Sequence, residues 1–417
     1  MPYRSSLPRR LGVSLAVAAL AVALFAATLA TQPEGASAKR KRATNTVQLA
    51  DARAVARPGN CARANRRKLL SKRERRQTAR RSRACRDRSK VTPQPSGPIY
   101  WGAWIGSQLT GNEAPWDMSA VAKFEGMAGK GASVINFSSP FADCNKTPCD
   151  YYEFPKGPMD LIRSHGSIPM FSWASQSTPA KLDQPEFQLS DTLEGRHDAY
   201  IREWAEEARD WGHPFFLRFN WEMNGEWFAW HEGVNGNQPG EAVAVWRHVH
   251  DIFASVGADN VTWVWCPNID PFDQMHDLAS QYPGHEYVDW TGLDGYNWGT
   301  NPARPDRWRS FDELYRETYD EITTVIAPGK PLIISEIGST EHGGSKAAWI
   351  TDAIQSVTTE YPLVRGFLWF EKHDDGMDWP IETSPASAAA FAAGIQHPAF
   401  AANSFGSAAG GPIVPVG

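Results

Sequence analysis

From residue 98 onward the chain alternates short, nearly continuous apolar runs with longer stretches of mixed polarity. Eight runs read as strands: 99–105, 133–138, 168–173, 214–219, 261–266, 288–293, 332–335 and 364–370. Between them, amphipathic spacing predicts helices over 199–211, 241–256, 311–326 and 347–357. Strands apolar on both faces belong to a parallel sheet that helices cover on both sides. Eight such units in about 300 residues fit an α/β fold of the closed (β/α)8 TIM-barrel type. A doubly wound open sheet is the alternative, but no Gly-rich phosphate loop follows the first strand.

The pattern is different before residue 98. Arg4, Arg9 and Arg10 precede an uncharged run over 11–30, and Ala36-Ser37-Ala38 offers a small-residue cleavage site. Residues 1–38 therefore read as an export signal. The apolar run also approaches the ~20 residues that span a bilayer, so an uncleaved N-terminal anchor is the alternative. Charge sets the N-terminal region apart from the barrel. Residues 1–95 hold 23 Lys/Arg against 4 Asp/Glu, whereas the rest of the chain holds 19 against 43. Residues 39–97 form a basic, low-complexity arm and linker, too poor in apolar groups to bury a core of their own. Such an arm is either a solvated spacer or, through 39–90, an attachment to an anionic wall polymer or membrane surface. Its charges lack interleaved aromatics, so nucleic acid is not the expected partner. The barrel is assigned to 98–402 and a Gly/Ala/Pro-rich, loose tail to 403–417. A secreted or surface-attached monomer is the expectation.

Five cysteines suit export. Cys144 and Cys149 flank a short polar loop and can close a small disulfide-bonded turn. Cys61 and Cys85 bracket the basic arm and would need a hairpin to meet. Cys266 lies in an apolar strand and reads as a buried free thiol. The histidines, among them His276, show no metal-ligand spacing. No metal and no cofactor are expected.

Chemistry is concentrated in two carboxylates. Glu222 and Glu336 each end an apolar strand run, and Glu222 lies in a tryptophan-rich cluster with Trp221, Trp227 and Trp230. Burying a charge is costly unless it is compensated, so these positions point to function. In a (β/α)8 barrel, strand C-terminal ends share one mouth, which brings strand four and strand seven together. Paired carboxylates amid aromatic rings suit acid/base and nucleophilic work on a sugar. The segment Arg218-Phe219-Asn220-Trp221-Glu222-Met223-Asn224-Gly225-Glu226-Trp227 resembles the strand-four signature of glycoside hydrolase family 26, a β-mannanase-like family in a retaining clan. Trp263–Asn268, Gly292–Trp298 and Ser335-Glu336-Ile337-Gly338 fit the same family in the same order.

The resemblance implies an exported retaining β-glycoside hydrolase, with Glu222 as acid/base and Glu336 as nucleophile. It implies β-1,4-mannan as the first substrate, with mixed-linkage β-glucan and β-1,3-xylan as alternatives and a non-catalytic carbohydrate-binding barrel as the competing class. The family places His immediately before the acid/base glutamate, whereas this chain has Trp221, which leaves the sugar open. Tyr296 is expected to donate a hydrogen bond to Glu336. Arg218 either orients a carboxylate or forms a structural ion pair, and Asn220 takes over part of the missing sugar contact. Trp173, Trp227, Trp298 and Trp369 fall at or just past strand ends and are candidate sugar platforms. Trp101, Trp263 and Trp290 are assigned to the core, and Trp204, Trp211, Trp246 and Trp349 to helix packing. Asp294 is expected to cap or orient a loop. Glu371 is expected to contact substrate or Lys372.

Overall fold

A computed structural model describes residues 98–270, 277–304, 306–374 and 376–415. The signal, the basic arm, Cys61, Cys85 and His276 lie outside the described residues.

Eight strands form the barrel: β1 (Tyr100–Ile105), β2 (Val134–Asp143), β3 (Ile168–Thr178), β4 (Phe215–Phe219), β5 (Val261–Trp265), β6 (Trp290–Asn297), β7 (Leu332–Ser339) and β8 (Val364–Glu371). Each pairs in parallel with the next, and β8 and β2 both pair with β1, which closes the sheet. This is the predicted (β/α)8 topology. A two-residue hairpin strand, Asp150–Tyr151, folds back on the end of β2. It is pinned by the Cys144–Cys149 disulfide, as the spacing predicted.

The helices Asp198–Trp211, Glu241–Val256, Phe311–Glu321 and Lys346–Thr359 lie where the periodicity put them. The third continues as a π-turn over Ile322–Ile326. Between β5 and β6 the described residues hold only single 3₁₀ turns, Leu278–Gln281 and His285–Tyr287. The intervening Pro283-Gly284 pair accounts for this, since neither residue propagates a helix.

Side-chain alternation divides the strands between two layers. Phe171 and Trp173 of β3 turn outward and stack on Trp204, at centroid distances of 5.4 and 4.5 Å. Phe216, Tyr100 and Trp290 turn inward near the strand N-termini and meet edge to face or tilted. The segment expected to be a loose tail covers that end. Trp290 Nε1 donates to the Ile413 carbonyl (2.8 Å), Tyr100 Oη to the Val414 carbonyl (2.9 Å), and the Ile413 N–H to Thr262 Oγ1 (2.7 Å). Buried indole and phenol donors need acceptors, and the tail supplies them. Composition alone missed this.

Candidate active site

At the opposite end of the barrel, two departures from regular strand geometry aim the functional groups. The first follows β4. Arg218 points inward while Phe219 packs outward against Trp246 and Trp173. Beyond Phe219 the chain turns through Asn220 (φ 41°) and Glu222 (φ 51°), both in the left-handed region. A non-glycine residue there costs on the order of 1–3 kcal/mol. Hydrogen bonds hold the turn: Asn220 N–H to the Trp173 carbonyl (3.0 Å), Glu222 N–H to the Cys266 carbonyl (2.7 Å), and Ser175 N–H to Asn220 Oδ1 (2.9 Å). The strain swings Glu222 back over the barrel mouth.

The second departure is a bulge in β7. Leu293 pairs with Ile334 but Asp294 pairs with Glu336, so Ser335 is the extra residue. In a regular strand, neighbours face opposite sides. Here Ser335 reaches Cys266 Sγ (3.5 Å) and Glu336 reaches Arg218, so both face the interior. A bulge re-aims a side chain in this way.

The resulting constellation is buried and consists of two hydrogen-bonded groups, one around Arg218 and one around Glu222. Arg218, with no solvent exposure, donates Nη1 to Asp294 Oδ2 (2.6 Å), Nη2 to Glu336 Oε1 and Nε to Ser172 Oγ (2.9 Å). Burial alone would lower its pKa, but Asp294 and Glu336 raise it well above the usual arginine value, so the guanidinium stays charged. Tyr296 Oη donates to Glu336 Oε2 (2.5 Å), so each oxygen of Glu336 accepts a hydrogen bond from a buried donor. Glu222 accepts from Trp227 Nε1 and Asn268 Nδ2, each at 2.6 Å. Burial, then the nearby Glu336, pushes the Glu222 carboxyl up to about 7, against the pull of those two hydrogen bonds. Desolvation and a like charge both disfavour a second anion. Oxygens of Glu222, Asp294 and Glu336 lie within 4.8 Å of one another. Such a trio has the spacing to hold a cation, and the Arg218 guanidinium already lies against two of its members.

The model of glycosyl hydrolase family 26 matches residues 104–340, more than half of the chain. The chain belongs to this family. Endoglucanase H of Acetivibrio thermocellus is 34% identical over 298 residues, covering 70% of this chain and 29% of that protein. A mannan endo-1,4-beta-mannosidase of Bacillus subtilis is 28% identical over 238 residues, covering 54% of this chain and 58% of that protein. The chain thus spans under two thirds of either relative. A modular endo-beta-1,4-mannanase of Cellulomonas fimi has the same fold, with a TM-score of 0.55, 17% identity, and coverage of 81% of this chain and 78% of that one.

Within this family 26 barrel, Glu222, Glu336, Arg218, Tyr296 and Trp227 lie together at the mouth. Trp298 stands beside them, half-buried, with the Arg304 guanidinium 4.0 Å over its ring. Trp221 is buried, with the Arg218 guanidinium over its ring (5.0 Å) and Trp230 tilted against it (5.0 Å), so it backs the site more than it lines it. Five expectations are corrected. Trp173 and Trp369 have no exposed face. Trp173 packs on Trp204, and Trp369 packs on Phe391 (5.6 Å) while donating Nε1 to the Trp379 carbonyl. Strand alternation turns both toward the helices. Asn220 spends its amide on Ser175, locking the turn, and so is not free for a sugar. Asp294 caps no loop but pairs with Arg218.

Glu371 is likewise buried, accepts from the Ile381 N–H, and leaves Lys372 to pair with Glu113. Sequence reading gave no role to Asn268 or to the cluster of Trp104, Phe370, Met377 and Trp379 behind Tyr296 and Trp298. Asn268 was traceable in hindsight, because it lies just past β5 at the barrel mouth. Trp379 lies in a loop with no periodicity to place it.

Proposed function

We propose that this chain is a retaining hydrolase of a β-linked polysaccharide, with Glu336 as nucleophile and Glu222 as acid/base. The observation that carries the reading is the Glu222–Glu336 pair, with oxygens within 4.8 Å and opposite electrostatic surroundings. Retention calls for carboxyl groups about 5–5.5 Å apart, whereas inversion needs roughly 6.5–9.5 Å to admit a water. Glu336, flanked by the Arg218 cation and the Tyr296 hydroxyl, attacks the anomeric carbon. The bond to the leaving oxygen breaks as Glu222 gives that oxygen its proton. Water then enters where the leaving group was. Glu222 takes its proton as the new C–O bond forms, and Glu336 is released as a carboxylate.

The polymer has two readings. β-1,4-Mannan follows from the mannosidases among the relatives. β-Glucan is favoured by one feature of this site: Trp221 occupies the position before Glu222 where the resemblance implies His. The endoglucanase, 34% identical over most of this barrel, supports that second reading. The decisive experiment offers mannan, glucomannan, lichenan, laminarin and xylan to the protein and to Glu336→Ala, with the anomeric form of the product followed by NMR. Hydrolysis with retention, lost in Glu336→Ala, is the expected result. An inverted product, or no hydrolysis of any polymer by the folded protein, refutes the assignment.

Export and attachment through residues 39–90 complete the proposal, on the strength of the signal-like N-terminus and the basic arm. Sedimentation with purified cell walls, with and without 39–90, tests it. Equal binding of both forms would rule the arm out as an anchor.

A further inference from the structure

Behind the mouth, a fully buried lysine is enclosed by backbone oxygens. Lys346, the first residue of the helix Lys346–Thr359, has no solvent exposure. Its Nζ donates to three consecutive carbonyls, Asp378 (2.5 Å), Trp379 (3.0 Å) and Pro380 (2.7 Å), and to Thr383 Oγ1 (2.9 Å). Burial lowers its pKa to about 8, against the opposite pull of Asp378, Glu341, Glu371 and Glu382, so at neutral pH it is mostly charged. Unpaired buried charge is costly, and so is a row of buried carbonyls without donors. Each solves the other's problem here.

The enclosure holds the loop after β8, and Trp379 is the central residue of that loop. The Trp379 ring is 2% exposed, so it is no sugar platform. It packs against Tyr296 (4.9 Å, 39°) and edge-on against Trp298 (4.9 Å, 80°). Gly338, two residues past Glu336, makes this approach possible, since a Cβ there would fall 3.1 Å from both the Trp379 and the Tyr296 rings. Tyr296 in turn donates to Glu336. The same loop is tied to the β7 end by Asp378, which accepts from Thr340 Oγ1 (2.5 Å) and the Glu341 N–H (2.7 Å).

We propose that Lys346 is a positioning residue for the reaction: it holds the 378–380 backbone so that Trp379 keeps Tyr296 in hydrogen-bonding register with Glu336. The inference rests on the nucleophile role assigned to Glu336 above. Lys346 touches neither substrate nor reacting atoms, and its effect runs through Tyr296. Displacing a positioned group by about 1 Å can cost on the order of 100-fold in rate.

The test is a double-mutant cycle on the full chain. Lys346→Met keeps an unbranched chain of nearly the same length and removes the donors. It should lower kcat by about ten- to 100-fold with KM unchanged, because the lost register matters only as Glu336 attacks. In a Tyr296→Phe background the same substitution should have almost no further effect on kcat. If Lys346→Met does not fold, Thr383→Val removes one acceptor and keeps the lysine; its smaller kcat loss must vanish in the same background. Wild-type kcat in these variants, or losses that multiply with that of Tyr296→Phe, overturns the inference. Inactivity of the unmodified protein on every polymer would overturn the functional reading instead, so the two failures are distinguishable.

Discussion

The Arg218 guanidinium, itself fully buried, lies between Asp294 and Glu336 and donates one nitrogen to each. This one contact links the strand-four, strand-six and strand-seven contributions to the mouth. Lysine cannot reproduce this geometry, because its shorter, point-like ammonium lacks the planar fork that offers each carboxylate its own nitrogen. Arg218→Lys should therefore lower kcat/KM by about 100-fold or more. Arg218→Met leaves two buried carboxylates without their cation and should lose about 3–5 kcal/mol of stability, read by urea denaturation. A variant with near-normal kinetics would show that the ion pair only supports the barrel.

Glu222 should set the alkaline limb of the pH–rate profile. Its carboxyl is pushed up to about 7, and the first step needs it protonated, so kcat/KM should fall as pH rises through that value. The Trp227 indole favours the ionised form by donating to it. Trp227→Phe should therefore move the limb to higher pH, by about half a unit to one unit. A limb that stays put or moves down would remove Glu222 as its source.

The same shift has a stability consequence. The folded-state pKa of Glu222 lies above the ordinary 4.5, so the folded protein holds this proton more tightly than the unfolded chain. Its contribution is fully present below about pH 4.5 and is lost as pH rises through about 7, amounting to about 3 kcal/mol. Glu222→Gln cannot titrate. The difference in unfolding free energy between it and wild type should grow in favour of the variant from pH 4.5 to 7.5, and a pH-independent difference would contradict the shift.

Trp221 should influence polymer choice. Its ring lies under the Arg218 guanidinium directly beside Glu222, where an imidazole would bring hydrogen-bonding groups and an indole brings mainly apolar surface. Trp221→His should raise the ratio of mannan to β-glucan hydrolysis, measured as kcat/KM on defined oligosaccharides. An unchanged ratio would place the choice elsewhere in the cleft.

Two tryptophans that looked like sugar platforms should behave as core. Trp173→Ala and Trp369→Ala remove fully buried indoles and should cost about 3–5 kcal/mol of stability. In the fraction that remains folded, KM should hold. Trp298→Ala should do the reverse and raise KM with a smaller stability loss. A large KM change in Trp173→Phe would show that the first group reaches substrate after all.

The architecture was legible because the signals are local. Continuous apolar runs such as 364–370 show burial on both faces, and their alternation with helical periods over 241–256 shows the crossovers. Glu222 and Glu336 stood out because each is a charge where an apolar run stops. Cys144 and Cys149 paired because the loop between them is short. These features the chain carries in its own order of residues.

Direction and partnership were decided only by the tertiary structure. Whether a residue at a strand end faces the mouth depends on register, bulges and local φ, none of which periodicity encodes. Ser335 and Glu336 share a face because β7 bulges, and Glu222 turns inward because its backbone adopts a left-handed conformation. Trp173 and Trp369 face outward and pack on Trp204 and Phe391. Arg218 meets Asp294 across 76 positions, and the tail meets Trp290 across 123, because barrel closure brings distant strands together. Local pattern determines which segments are buried; three-dimensional closure determines which charges must share one buried space.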